Sequence, residues 1–267
     1  AGNVAVATQV INVAGVNEID VDLAYVGGGY AASMDRCIRF EVFPVGCDAP
    51  IVIDQTVTFT SGSATGVVVQ VPCGGYTCIT ARDVKHTLRR TDLDDFGIDG
   101  VRFVADFTNK SGVGGDDDAL IPGNFFQTGG EYAYIDIVDL AVLLSVYGQS
   151  VALHTPCGFA GHHADADGDG IVGQTDLGFV LASFSLLQEP NCCGLSTVVT
   201  PPQSLPAKNA ADGVGALAPA AAKRVGPRTS ITVAELVAMG HPELAAADRN
   251  GDGVVDMADV EAVMQQP

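Results

Sequence analysis

The stretch DADGDGIVGQTDLGFVLASF, residues 165–184, sets oxygen-bearing side chains at alternate positions and then runs into an apolar segment. Asp165, Asp167 and Asp169 fall at positions 1, 3 and 5 of a twelve-residue loop, Gly170 at 6, Ile171 at 7 and Asp176 at 12. DRNGDGVVDMAD, residues 248–259, repeats the pattern with Asp248, Asn250, Asp252, Gly253, Val254 and Asp259. A hard cation such as Ca2+ takes roughly six to eight oxygens, and this spacing wraps the chain around one. The glycine allows the sharp turn, and the carbonyls of Ile171 and Val254 add backbone oxygens. These ten residues are the candidate metal ligands. The plainer alternative, two solvated acidic turns, has to produce the same full-length pattern twice.

Aspartate at position 12, followed by Leu177 or Val260 and an apolar helix, resembles the dockerin type I repeat, the loop-helix half of an EF-hand. A third, eroded copy precedes the others. IDIVDLAVLLSVYG (135–148) aligns with IVGQTDLGFVLASF (171–184) when Asp139 is laid on Asp176, a spacing of 37 residues. In that register Thr128, Gly130 and Tyr132 occupy positions 1, 3 and 5, and Ala133 replaces the glycine, so the ligands are gone. The helix persists, because Leu140, Leu143, Leu144 and Tyr147 still form a stripe at spacings of three and four. The resemblance implies calcium binding at the ten residues named and docking onto a cohesin-like β-sandwich partner. Loop positions 10 and 11 help select the partner in that family; here they are Gln174-Thr175 and Met257-Ala258, which differ, and the intact loops lie 83 residues apart rather than adjacent. The wider arrangement resembles secreted planctomycete-type proteins, in which a β-rich region precedes such repeats.

Residues 1–110 alternate as half-buried strands do. Ile19, Val21, Leu23 and Tyr25 share one face against Asp20 and Asp22, and Ile38, Phe40 and Val42 oppose Arg39 and Glu41. Val57 with Phe59, then Val67, Val69 and Val71, and VRFVADF (101–107), continue the period, with Gly and Ser clusters between the runs. The fold class expected is mainly β with α: an antiparallel β-sandwich followed by loop-helix modules. Residues 111–128 read as a loop and 129–194 as the dockerin-like pair. Residues 195–229 form a Pro/Ala-rich linker, and 230–267 a C-terminal unit with Ser230 as helix cap and Gly240 as terminator. That last unit is too short to fold alone and is expected to dock on the sandwich, the paired module or another subunit.

Thirteen basic against 32 acidic residues give a net charge of −19, which argues against nucleic acid and anionic membrane as partners. No apolar run reaches the roughly 20 residues of a membrane span. The chain starts at Ala1 and carries seven cysteines, which point to an exported, disulfide-bonded protein, extracellular or at the cell surface. Local spacing suggests Cys73–Cys78, Cys37–Cys47, and Cys157 with Cys192 or Cys193, leaving one thiol over. ARDVKHTLRR (81–90) reads as paired charge on the sandwich surface, with a docking patch for an acidic neighbour as the alternative, and His162-His163 as a solvated turn with a transition-metal site as the alternative. No GxSxG, HExxH or phosphate-cradling loop is present, so the chain is not expected to be an enzyme. The reading is a calcium-binding structural protein that self-assembles into a filament or surface layer, a homo-oligomer; the apolar stretch from Val4 to Gly15 reads as the first strand of the chain's own sandwich or, alternatively, as a strand added to a neighbour's sheet. The alternatives are an accessory protein docked on a cohesin-type scaffold, and a secreted hydrolase.

Overall fold

The computed structural model describes residues 15–92, 96–99, 102–108, 118–126, 134–189, 193 and 227–265. The expected donor strand (4–14), the ligand-poor loop residues Thr128, Gly130, Tyr132 and Ala133, Cys192, and linker residues 195–226 lie outside the described residues.

Alternation of apolar and polar side chains builds eight strands: β1 (Val16–Ala24), β2 (Met34–Pro44), β3 (Ile51–Phe59), β4 (Ser63–Pro72), β5 (Tyr76–Asp83), β6 (Arg90–Asp92), β7 (Gly97–Asp99) and β8 (Arg102–Phe107). They form two four-stranded sheets, ordered β4-β1-β8-β7 and β3-β2-β5-β6. Among the described residues all strand pairings in these two sheets are antiparallel but one. β1 runs parallel to β8, with Ile19 opposite Phe103, which corrects the purely antiparallel expectation. The inward faces are the expected ones: Ile19, Val21, Leu23 and Tyr25 from one sheet meet Ile38, Phe40 and Val42 from the other in a single core.

A second core belongs to the helices: α1 (Ile137–Ser145), α2 (Gln174–Ala182), α3 (Val233–Ala238), a 3-10 turn (Pro242–Ala247) and α4 (Met257–Met264). Leu140, Leu143 and Leu144 of α1 are fully buried there, each contributing about 1.5–3 kcal/mol. The face of α1 does not go mainly to α2. Its principal neighbour is the 3-10 turn of the C-terminal unit, so that unit docks on the eroded repeat. Leu177 and Val180 of α2 are buried, while Leu181 is exposed.

Ser230 is not the cap of α3. Thr232 is, in a reciprocal capping box with Glu235, because Ile231–Thr232 first pair as a short strand β9 with Val254–Val255, β10. Gly240, at φ +90°, does follow the helix end. The connector 118–126 is irregular, as expected, but it is not a surface loop: Ala119, Leu120, Asn124 and Phe125 are buried.

The cysteine pairings differ from all three local expectations. Cys37 bonds Cys157, Cys47 bonds Cys193, and Cys78 is disulfide-bonded too; Cys73 is an exposed free thiol. The two bridges span 120 and 146 residues and tie the second sheet to the helical region. Nearness in sequence misled because the strand that carries Cys37 lies beside the segment that carries Cys157. The bridges place the chain in an oxidising compartment. Among the described residues no helix is long and apolar enough to cross a membrane.

Candidate metal centre

Each acidic loop is held by hydrogen bonds from its own backbone. In the first, the carboxylate of Asp165 accepts from Gly168 N (2.7 Å) and Gly170 N (2.9 Å), Asp167 from Asp169 N, and Asp169 from Ile171 N. The second repeats this. Asp248 accepts from Gly251 N (2.7 Å) and Gly253 N (2.9 Å), Asn250 from Asp252 N, and Asp252 from Val254 N. Asp165, Asp167 and Asp169 each bring a carboxylate oxygen within 4.8 Å of the others. Such a trio repels itself unless a cation sits between its members, and three convergent hard oxygens suit Ca2+. In the second loop the Nδ2 of Asn250 donates to Asp252 Oδ2 at 3.2 Å, so that amide must turn to offer its oxygen to an ion.

The two position-12 aspartates hold the loops shut. Asp176 accepts from Ala166 N and Asp167 N on one oxygen and from Gly173 N on the other. Asp259 accepts in the same way from Arg249 N, Asn250 N and Asp256 N. Asp176 is not part of the convergent trio; it closes the loop onto the start of α2. Burial raises the Asp176 carboxyl to about 6, and burial followed by the charge of Asp176 raises Asp165. A bound cation would remove both penalties.

The eroded repeat keeps this closure without the ligands. Asp139 accepts from Asp136 N and from Phe126 N, thirteen residues upstream, where the intact loops reach back ten. Asp139 thus reaches back three residues further than Asp176 and Asp259 do. From the loop's exit onward the 37-residue register holds bond for bond. Ile135 donates its N–H to Leu186 O and its carbonyl accepts from Ser185 N; Val172 donates its N–H to Gln149 O and its carbonyl accepts from Gly148 N. Each partner stands 37 residues from its counterpart (135 and 172, 148 and 185, 149 and 186). The two repeats thus exchange tails in a reciprocal pair. Val254–Val255, at the same loop positions, pairs instead with β9.

The first loop is seated on the sandwich by residues that the sequence reading passed over. Arg36, fully buried in β2, sends Nη2 to the carbonyl of Asp165 (3.0 Å) and Nη1 to Leu153 O and Thr155 Oγ1 (both 3.2 Å). Its Nε lies 3.8 Å from Asp83. Asp83 also accepts from Tyr25 Oη and sits 2.7 Å from His86 Nδ1; His86 Nε2 is 2.9 Å from His163 Nδ1, and His163 Nε2 meets Ala152 O at 2.8 Å. Burial works to raise Asp83, but His86 and Arg36 overcome it and hold the carboxyl at about 2. Burial, then His86, drives His163 down to about 3. His163 is therefore buried structure rather than a solvated turn; His162 is exposed.

The segment expected as a charged surface patch is largely internal. His86, Arg89 and Arg90 are buried; Arg89 donates to Glu189 O and Glu41, and Arg90 pairs with Glu189 at 3.0 Å. Two signals were available. Arg36 stands two residues before Ile38, on the inward face of a strand, where an arginine needs buried acceptors. Gly27-Gly28-Gly29, read only as a separator, is the seat of α2: a Cβ on Gly27 would meet Phe179 at 2.9 Å, and Phe179 stacks on Tyr30 at 5.3 Å.

Comparison with protein-family models, with curated proteins and with solved structures found no match. The class that fold and geometry define is a disulfide-bonded β-sandwich joined to acidic loop-helix units.

Proposed function

We propose that this chain is an extracellular calcium-binding structural protein in which Ca2+ locks loop-helix units onto a β-sandwich, and that it works as a building block of a larger assembly. The observation that carries the calcium reading is the nearly identical closure of residues 165–176 and 248–259 by their own backbone N–H groups, with the carboxylates of Asp165, Asp167 and Asp169 converging in the first loop. The ligand roles fall to Asp165, Asp167, Asp169, the Ile171 carbonyl and Asp176, and to Asp248, Asn250, Asp252, the Val254 carbonyl and Asp259. Affinities of extracellular calcium modules lie around 10⁻⁴–10⁻³ M, so the sites would report calcium outside the cell rather than in the cytosol.

The assembly half of the reading rests on β3 and β4, which are edge strands of the two sheets, and on the apolar segment Val4 to Gly15 as a strand to add there. Docking on a cohesin-type scaffold is the lesser reading. In the first loop the Thr175 methyl lies 3.7 Å from where a Cβ on Gly29 of the chain's own sandwich would stand, and Ala258 is its exposed counterpart in the second loop. Light scattering with electron microscopy, in about 1 mM calcium and then in chelator, tests assembly. Ordered polymers lost on chelation, and lost with an intact fold when residues 1–14 are deleted, support it. A monomer under both conditions refutes self-assembly and leaves scaffold docking.

A further inference from the structure

We propose that His162, His241 and Glu243 form a second kind of metal site, for a borderline transition ion such as Zn2+, which clamps the C-terminal unit to the segment entering the first acidic loop. His162 stands 79 residues before the neighbouring pair His241 and Glu243, yet one ligand atom from each of the three lies within 4.8 Å of the others. Two imidazole nitrogens and one carboxylate are the donors of zinc chemistry, whereas the acidic loops offer only hard oxygens.

The site is built and not merely crowded. Phe126 stacks on the His162 ring at a centroid distance of 4.9 Å and meets His241 edge-on at 4.8 Å, so one aromatic ring orients both imidazoles. Phe126 is itself fixed by its backbone bond to Asp139. His241 precedes Pro242 at the start of the 3-10 turn, and its Nδ1 lies 3.0 Å from Glu243 Oε1.

Bonds of about 2.0–2.1 Å in a tetrahedral zinc site put ligand atoms roughly 3.3 Å apart. The cluster must therefore close by about 1.5 Å at most from the 4.8 Å limit. Glu243, with its side chain 56% exposed, has the freedom to do so. The opposing charge nearby is Lys85, whose Nζ is tethered to Gly161 O at 2.7 Å. A fourth position would face solvent. His162 stands three residues before Asp165, and Glu243 five before Asp248. A single ion would thus tie together the entries of both loops.

The test is calorimetric titration of ZnCl2 into the full chain, in saturating calcium and with Cys73→Ser to remove the exposed thiol. One zinc per chain is expected. His162→Ala and His241→Ala should each weaken it by at least about 100-fold, the upper end of what losing a supporting partner alone costs. Glu243→Gln should weaken it less, and the visible band of a Co2+-loaded chain should vanish in the same variants. His154→Ala, altering a separate His-Asp pair with Asp35, should change nothing. Calcium uptake by each variant reports its folding independently. Failure of the intact chain to bind zinc, unchanged affinity in both histidine variants, or loss with His154→Ala would overturn the proposal.

Discussion

Loop 165–176 buries Asp165, Asp167 and Asp176 between the sandwich and α2, whereas loop 248–259 leaves Asn250, Gly251, Asp252 and Gly253 exposed. Their internal hydrogen bonds are nearly the same. The difference lies in what grips them. Carbonyls of the first loop receive the fully buried Arg36 guanidinium, and Ala31 N donates to Asp167 O at 2.8 Å. The second loop grips outward: Arg249, at its position 2, donates Nε to Leu144 O of α1 at 3.0 Å. One motif therefore serves as a keystone in one place and as a peripheral clip in the other. Local sequence fixes how such a loop folds on itself; the surrounding surface sets what a cation there can stabilise.

The largest effect should come from removing the grip on the first loop. Arg36→Met leaves Asp83 buried beside one cation fewer and strips the Asp165 carbonyl of its donor. Loss of one partner of a buried pair costs about 3–5 kcal/mol, to be read from urea unfolding. Arg249→Met, at the half-exposed counterpart, should cost about 1.5 kcal/mol. Equal losses would mean that burial does not separate the two loops.

Next come the position-4 glycines. Gly168 (φ +76°) and Gly251 (φ +77°) have the same backbone conformation, so replacement by alanine carries the same left-handed strain at both. Around Gly251 a Cβ meets nothing within 4 Å, but at Gly168 it would lie 2.9 Å from Met34 Sδ and 3.2 Å from Arg36 Nη2. Gly251→Ala should cost about 1–2 kcal/mol, and Gly168→Ala a further 1–3 kcal/mol or so for overpacking. The difference in melting temperature isolates the contact with β2.

The smallest effect is a pH slope. His163 titrates near 3 in the fold, below the roughly 6.5 of an unfolded chain. Its contribution is present above about pH 6.5 and is lost as pH falls toward 3, because only the unfolded state takes up the proton. In saturating calcium, His163→Gln should flatten the fall in melting temperature between about pH 6.5 and 5. An unchanged slope would show that this ring does not anchor the loop entry.

Much of this was legible in the sequence. The period of two in Ile19–Tyr25 and Ile38–Val42 placed the sandwich core, and the spacing of Asp139 to Asp176 gave the register in which two repeats exchange tails. Both signals are local, carried by side chains within a few residues of each other or by a repeat. What stayed hidden is long-range. The pairing of Cys37 with Cys157, the reach of Arg36 to Asp165, and the docking of the C-terminal unit on α1 all depend on which surfaces meet. The ARDVKHTLRR segment misled for the same reason: charge density looks the same in sequence whether its partners are water or Glu189 and Glu41.

The most direct test of the central claim is calorimetric titration of calcium into the parent chain and into Asp165→Asn, Asp248→Ala and the double variant, with the melting temperature followed in parallel. The account predicts two sites in the parent, one in each single variant and none in the double. At a calcium concentration about 100 times the Kd, an occupied site stabilises by about 2.7 kcal/mol. Loss of the first site should lower the melting of sandwich and helices together, and loss of the second only that of the C-terminal unit. A parent chain that takes up no calcium at about 1 mM, or a double variant that retains both sites, would contradict it.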